Sequence, residues 1–242
     1  YTLSGMVTIV MIGIPVLTMR SFADDRKTKT DQLLLTAPVS VPKMVLAKYL
    51  SMVTVFAVPV LISCLCPLII KMNGTAYLKT DYASILAFFL LGCVYIAIGM
   101  FISSTTESQI IAAVGTFGVI LLLLLWPSLV NFLPTSASGS LVGFLLLWTL
   151  CVVILHRVTS HNLLAFVLEA AGIVALVGAY VAKKSMFDRA LVTLVEKIAV
   201  TDVFQNFANN YIFDAGGLIY YASIIFLLVF LTVQSVEKRR WS

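Results

Sequence analysis

Six stretches of this chain (residues 3–19, 49–70, 82–103, 110–130, 163–181 and 218–236) are apolar over lengths that match the oily thickness of a bilayer. A membrane-crossing helix needs about 20 such residues, and it satisfies every backbone N–H and C=O within its own segment. A seventh stretch, 141–155, is shorter; it crosses by borrowing its flanks or forms one arm of a re-entrant pair with 163–181. The expectation is an all-α, polytopic membrane helix bundle of six to seven spans, one transmembrane domain over residues 1–242. Composition agrees: 61% of the residues are hydrophobic and 11% charged, where a soluble domain carries about a quarter charged residues.

Charge placement sets the orientation. The net charge of +5 is not a nucleic-acid signal, because the basic residues sit beside the apolar runs as topology anchors. With seven spans and residues 20–48 inside, the inner segments hold Arg20, Arg26, Lys27, Lys29, Lys43, Lys48, Arg157, Lys238, Arg239 and Arg240. The outer segments hold only Lys71, Lys79, Lys183, Lys184, Arg189 and Lys197. The C-terminus is then cytoplasmic and Tyr1 lies outside, so a cytoplasmic N-terminus needs one more helix upstream. Tyr1 is not an initiator Met, and the sequence reads as beginning inside a longer chain. Cys64, Cys66, Cys93 and Cys151 all fall in apolar runs, where cysteine acts as a small buried residue.

Residues 20–50 form the longest polar interruption in the first half. Thr30 and Asp31 suit a helix start, which predicts a short helix over 31–36 that stops before Pro38. Ser40 can cap a second helix with Pro42 in its first turn. Leu33, Leu34 and Leu35 cannot all face one way on a short helix, so at least one must find a partner surface or the lipid interface. Read alone, the stretch is equally an ordinary charged loop.

Met19-Arg-Ser-Phe-Ala23, Asp24-Asp25, Arg26-Lys27, Thr30, the leucine run 33–35 and Pro38-Val-Ser40 follow one pattern in order. With Ala47-Lys48-Tyr49, residues 98–109 and the tail from Tyr220-Tyr221 to Trp241, this resembles the permease subunits of type-2 ATP-binding-cassette exporters, in the gliding-motility-type branch. Lys29 stands where that pattern has Gly, and Ala47 also replaces a Gly. The resemblance implies a cytoplasmic coupling helix within 20–48 that docks in a groove of a separate ATPase subunit. Arg20, Asp24, Asp25, Arg26, Thr30, Leu33 and Leu34 are the candidate contacts. It further implies a second permease subunit (the same chain or a different one), an extracytoplasmic auxiliary membrane protein, and a bacterial cytoplasmic (inner) membrane. No cofactor is expected on this chain; ATP and Mg belong to the ATPase.

The chain lacks G-x-x-x-x-G-K-[ST], the loop whose amides cradle phosphates, so ATP hydrolysis is expected elsewhere. Glu169 is the one acidic residue well inside an expected span. Such a carboxylate needs a partner or a function, which makes it a candidate for the transport pathway. It also supports a different class of reading, a secondary transporter with Glu169 as its proton or ion site. Against that stand the absence of paired inverted repeats and of a second intramembrane charge. No H-E-x-x-H, no G-x-S-x-G and no facing carboxylate pair suggests an intramembrane enzyme. Pro15, Pro59 and Pro67 predict kinks, and Gly139 and Gly143 form a G-x-x-x-G packing cue. Residues 183–217 are expected to be an extracytoplasmic amphipathic segment, with Val192, Val195, Ile198 and Ala199 on one face. Phe204, Phe207, Tyr211 and Phe213 would follow as an interfacial aromatic belt.

Overall fold

The computed structural model describes residues 2–30, 40–73, 77–159, 162–182, 187–208 and 214–240. Among these every regular element is a helix: α1 (Thr2–Thr18), α2 (Ala23–Lys27), α3 (Val41–Ser63), α4 (Leu65–Asn73), α5 (Leu78–Thr105), α6 (Gln109–Val130), α7 (Ala137–Thr159), α8 (Asn162–Ala182), α9 (Ala190–Glu196), α10 (Val200–Ala208) and α11 (Ala215–Arg240). Five stretches among the described residues are long and apolar enough to cross a membrane: 5–27, 41–72, 78–105, 109–130 and 215–238. In α7 and α8 the apolar parts, Ala137–Val153 and Val167–Val181, are shorter. The expected 31–36 helix and Leu35 lie outside the described residues, as do Tyr211 and Phe213.

The chain divides into two compact units, residues 1–124 with 200–242, and residues 125–199. In the first, α5 is the axle. Its membrane window is 72% buried, against 17–33% for the other four, so α5 is mostly wrapped by its neighbours and the others leave most of their surface exposed. Leu91, Val94, Tyr95, Ile96 and Met100 fill the centre of this core with Ile14, Val45, Ile120 and Tyr221. Two glycines let neighbours approach α5. A Cβ on Gly92 would collide with the Phe56 ring, and one on Gly99 with the Thr18 hydroxyl.

The second span is interrupted where its prolines demand it. Pro67 lacks an N–H, and its ring crowds the carbonyl four residues back, on Ser63. The helix breaks there, α3 ending at Ser63 and α4 starting at Leu65. The Tyr82 hydroxyl donates to the carbonyl of Cys64 in the break (3.3 Å). At the start of α3, Ser40 occupies the N-cap as expected but makes no side-chain capping bond.

Phe204 and Phe207 are not a lipid-facing belt. Both are buried, and the Phe204 ring packs 6.0 Å from Phe88 on α5. The amphipathic face of α10 is used for packing within the first unit. Tyr221 anchors it: its hydroxyl donates to the Val200 carbonyl (2.7 Å) and accepts from the Phe204 N–H (3.1 Å).

In the second unit, Trp148 of α7 donates to the Leu168 carbonyl of α8 at 3.3 Å, over Gly172. Gly143 of the G-x-x-x-G leaves room for Leu191 of α9. Phe187 packs edge-on against both Phe144 and Tyr180.

Candidate functional site

The segment after α1 is built around one hydroxyl. The first N–H groups of any helix lack partners within it, and α2 has Phe22 at its N-cap, a residue that cannot cap with its side chain. Ser103, near the end of α5, supplies what is missing. Its Oγ accepts from the N–H groups of Phe22 (3.2 Å) and Ala23 (3.1 Å) and donates to the Met19 carbonyl (3.1 Å). A hydroxyl has one proton and two lone pairs, so Ser103 is fully used, and it is fully buried. Phe22 and Ala23 are buried with it, Ala23 completely.

The acidic pair that follows is drawn into the same structure. Gln109, at the start of α6, donates to Asp24 Oδ1 (2.5 Å). Asp25 forms an ion pair with Lys48 of α3, whose ammonium also donates to the Ser21 carbonyl and lies 4.5 Å from the centre of the Phe22 ring. Thr28 and Thr30 close the C-terminal end of α2 through the carbonyls of Asp24 (2.9 Å) and Asp25 (3.2 Å). Lys29 ends the helix with φ +57°, the left-handed conformation that glycine adopts without penalty. The turn therefore keeps the backbone shape a glycine would give, with lysine in place. From the tail, Ser235 of α11 donates to the Ser104 carbonyl at 3.3 Å.

Residues 19–30, 98–109 and the end of α11 are far apart in sequence, and they meet at one end of the first unit. Four helices, α1, α3, α5 and α6, are thereby connected to α2.

The seven candidate contacts separate by environment. Arg20 and Thr30 are exposed, while Asp24 and Asp25 are half-buried and engaged within the chain. Arg26 is buried. Leu33 and Leu34 lie outside the described residues. Glu169 is half-buried on α8, and no hydrogen bond or ion pair joins it to another described titratable group. Sequence reasoning missed Ser103, Gln109 and Lys48 as the partners of α2. Nothing in a Ser, a Gln or a Lys near a span's end marks it as a partner to a segment tens of residues away.

A family model described as ABC-2 family transporter protein matches residues 4–233. The chain belongs to the ABC-2 transporter family. This ABC-2 chain is a multi-pass membrane protein and a permease component of an ATP-binding-cassette transporter, not itself the ATPase. The match takes in nearly the whole ABC-2 chain, including every residue of the α2 cluster except Ser235. Searches of the curated proteins and of the solved structures found no significant match.

Proposed function

We propose that this permease component works in an ATP-driven exporter of the gliding-motility type, as one of two permease subunits bound to separate ATPase chains that hold ATP and Mg. The observation that carries the reading is the ABC-2 match over residues 4–233. The convergence on α2 gives it a mechanism. A force applied to α2 reaches α5 through Ser103, α6 through Gln109 and α3 through Lys48.

In this reading residues 20–48 are the cytoplasmic coupling element, seated in a groove of the ATPase. Arg20, Thr30, Leu33 and Leu34 make the contact; Asp24, Asp25 and Arg26 hold the element's shape. Closure of the ATPase dimer on ATP displaces α2 and, with it, the spans that line the pathway. The apolar parts of α7 and α8, extended by their flanks, are the sixth and seventh spans. The C-terminus is cytoplasmic, the membrane is the bacterial inner membrane, and residues 183–217 face outward, where an auxiliary membrane protein docks. Glu169 lines the pathway.

The test is capture of the full-length protein from its native membrane under gentle extraction, with ATPase activity assayed in the eluate. Wild type is compared with Leu33→Asp plus Leu34→Asp. ATPase activity should co-elute with wild type and be lost with the folded double variant. Absence of any nucleotide-binding partner from the wild-type eluate overturns the exporter reading.

A further inference from the structure

The charges at the α2 end of the first unit are sorted by sign. Asp24 and Asp25 are turned to Gln109 and Lys48, and Glu237 is half-buried. Glu107 is the one exposed carboxylate among the described residues there, whereas Arg20, Lys27, Lys29, Lys43 and Lys238 are all exposed. The sequence shows Asp-Asp-Arg-Lys as a mixed run; of its four side chains the fold leaves only Lys27 exposed.

We propose that the surface of the α2 element is a cationic docking face, and that the ATPase groove receiving it is lined by carboxylates. This rests on the coupling-element reading given above and names the chemistry of its partner. Complementary potentials fix register and accelerate encounter, and a groove that must accept α2 in one orientation gains both from opposite charge. Basic residues at a span's end also suit anionic lipid headgroups, and Arg20, Lys43 and Lys238 lie close to span ends. Lys27 closes the 5–27 stretch and Lys29 follows two residues later, so position along the chain does not separate the two sources. The two lysines lie on and just beyond a helix held against the ends of α5 and α6 by Ser103 and Gln109. A partner that grips α2 therefore meets both ammonium groups, and varying the lipid separates that partner from the membrane surface.

The experiment uses the full-length protein captured with its ATPase and returned to nanodiscs with or without anionic phospholipid. Wild type is compared with Lys27→Glu plus Lys29→Glu, and with the conservative Lys27→Arg plus Lys29→Arg. Charge reversal should lower ATPase retention about tenfold at low salt, and rising salt should narrow the difference. The arginine pair should retain the ATPase in both lipid compositions. Neutral Lys27→Ala plus Lys29→Gly, which keeps the turn at residue 29, should fall between them if reversal acts through charge and not through misfolding. Retention indifferent to reversal overturns the acidic groove. A loss confined to anionic nanodiscs also overturns it and assigns the face to the membrane surface. Wild type without ATPase refutes the coupling reading itself, and this proposal with it.

Discussion

Lys48 and Asp25 join α3 to α2 through an ion pair in which each side chain is only about a quarter exposed, 25% and 26%. The pair lies against the Phe22 ring, so the ammonium is held by charge on one side and by an aromatic face on the other. Lys48→Met should therefore loosen α2 without emptying the core. Exposed ion pairs contribute about 0–1 kcal/mol and a surface cation–π contact about 0.5–1 kcal/mol, which puts the expected loss near 1–2 kcal/mol. A double-mutant cycle with Asp25→Asn, read by chemical denaturation in detergent, should return a coupling near 1 kcal/mol. Additive single effects would mean that the pair carries no stability.

Ser103→Ala should cost more than its small volume suggests. It strips two buried N–H groups and one carbonyl of their partner, and each buried unsatisfied group costs about 1–3 kcal/mol. The two N–H groups alone put the expected loss at about 2–6 kcal/mol, with faster amide exchange at Phe22 and Ala23 measured by hydrogen–deuterium exchange. Unchanged protection there would remove Ser103 as the cap of α2.

Lys29→Gly should stabilise the protein. A non-glycine residue at φ +57° carries a penalty of about 1–2 kcal/mol, while glycine adds flexibility to the unfolded chain worth about 0.5–1 kcal/mol. The balance is a gain of up to about 1 kcal/mol, visible as a raised unfolding midpoint. Lys29→Val, β-branched at the same φ, should lower it.

Gly99→Ala should be destabilising by about 1–3 kcal/mol, because the added methyl meets the Thr18 hydroxyl and the Thr116 methyl inside a packed junction of α1, α5 and α6. Combining it with Thr18→Ala should recover part of that loss. Equal stability of Gly99→Ala and wild type, by thermal melting of the purified protein, would contradict the close approach.

The spans were legible because bilayer-length apolar runs leave few alternatives, and five of the expected seven appear as helices long and apolar enough to cross. The boundaries of the second were harder. Its apolar run begins at Tyr49, but the helix starts at Val41, as Ser40 and Pro42 indicate, and it breaks before Pro67, one of the prolines at which a kink is expected. The aromatic belt was misread for a plain reason: Phe204 and Phe207 look alike whether a helix turns them to lipid or to a neighbour, and only the position of α5 decides it. The inward use of Asp24 and Asp25 was equally hidden, since Gln109 and Lys48 are distant in sequence. The left-handed turn at Lys29 ran against the residue present, because lysine does not announce that conformation.

The burial of most of α5 has a mechanical meaning. Ser103 at one end holds α2, and Ser84 near the other shares its proton between the Thr80 carbonyl of its own helix and the Phe207 carbonyl of α10, both at 2.9 Å. Unbroken helix joins the two serines, a rise of about 28 Å at 1.5 Å per residue, close to the full depth of the hydrocarbon layer. α5 is thus a strut with a polar fastening at each tip. An axial shift imposed at α2 would arrive at α10 as the same shift, carried by the stiffness of one helix rather than by a relay of side chains.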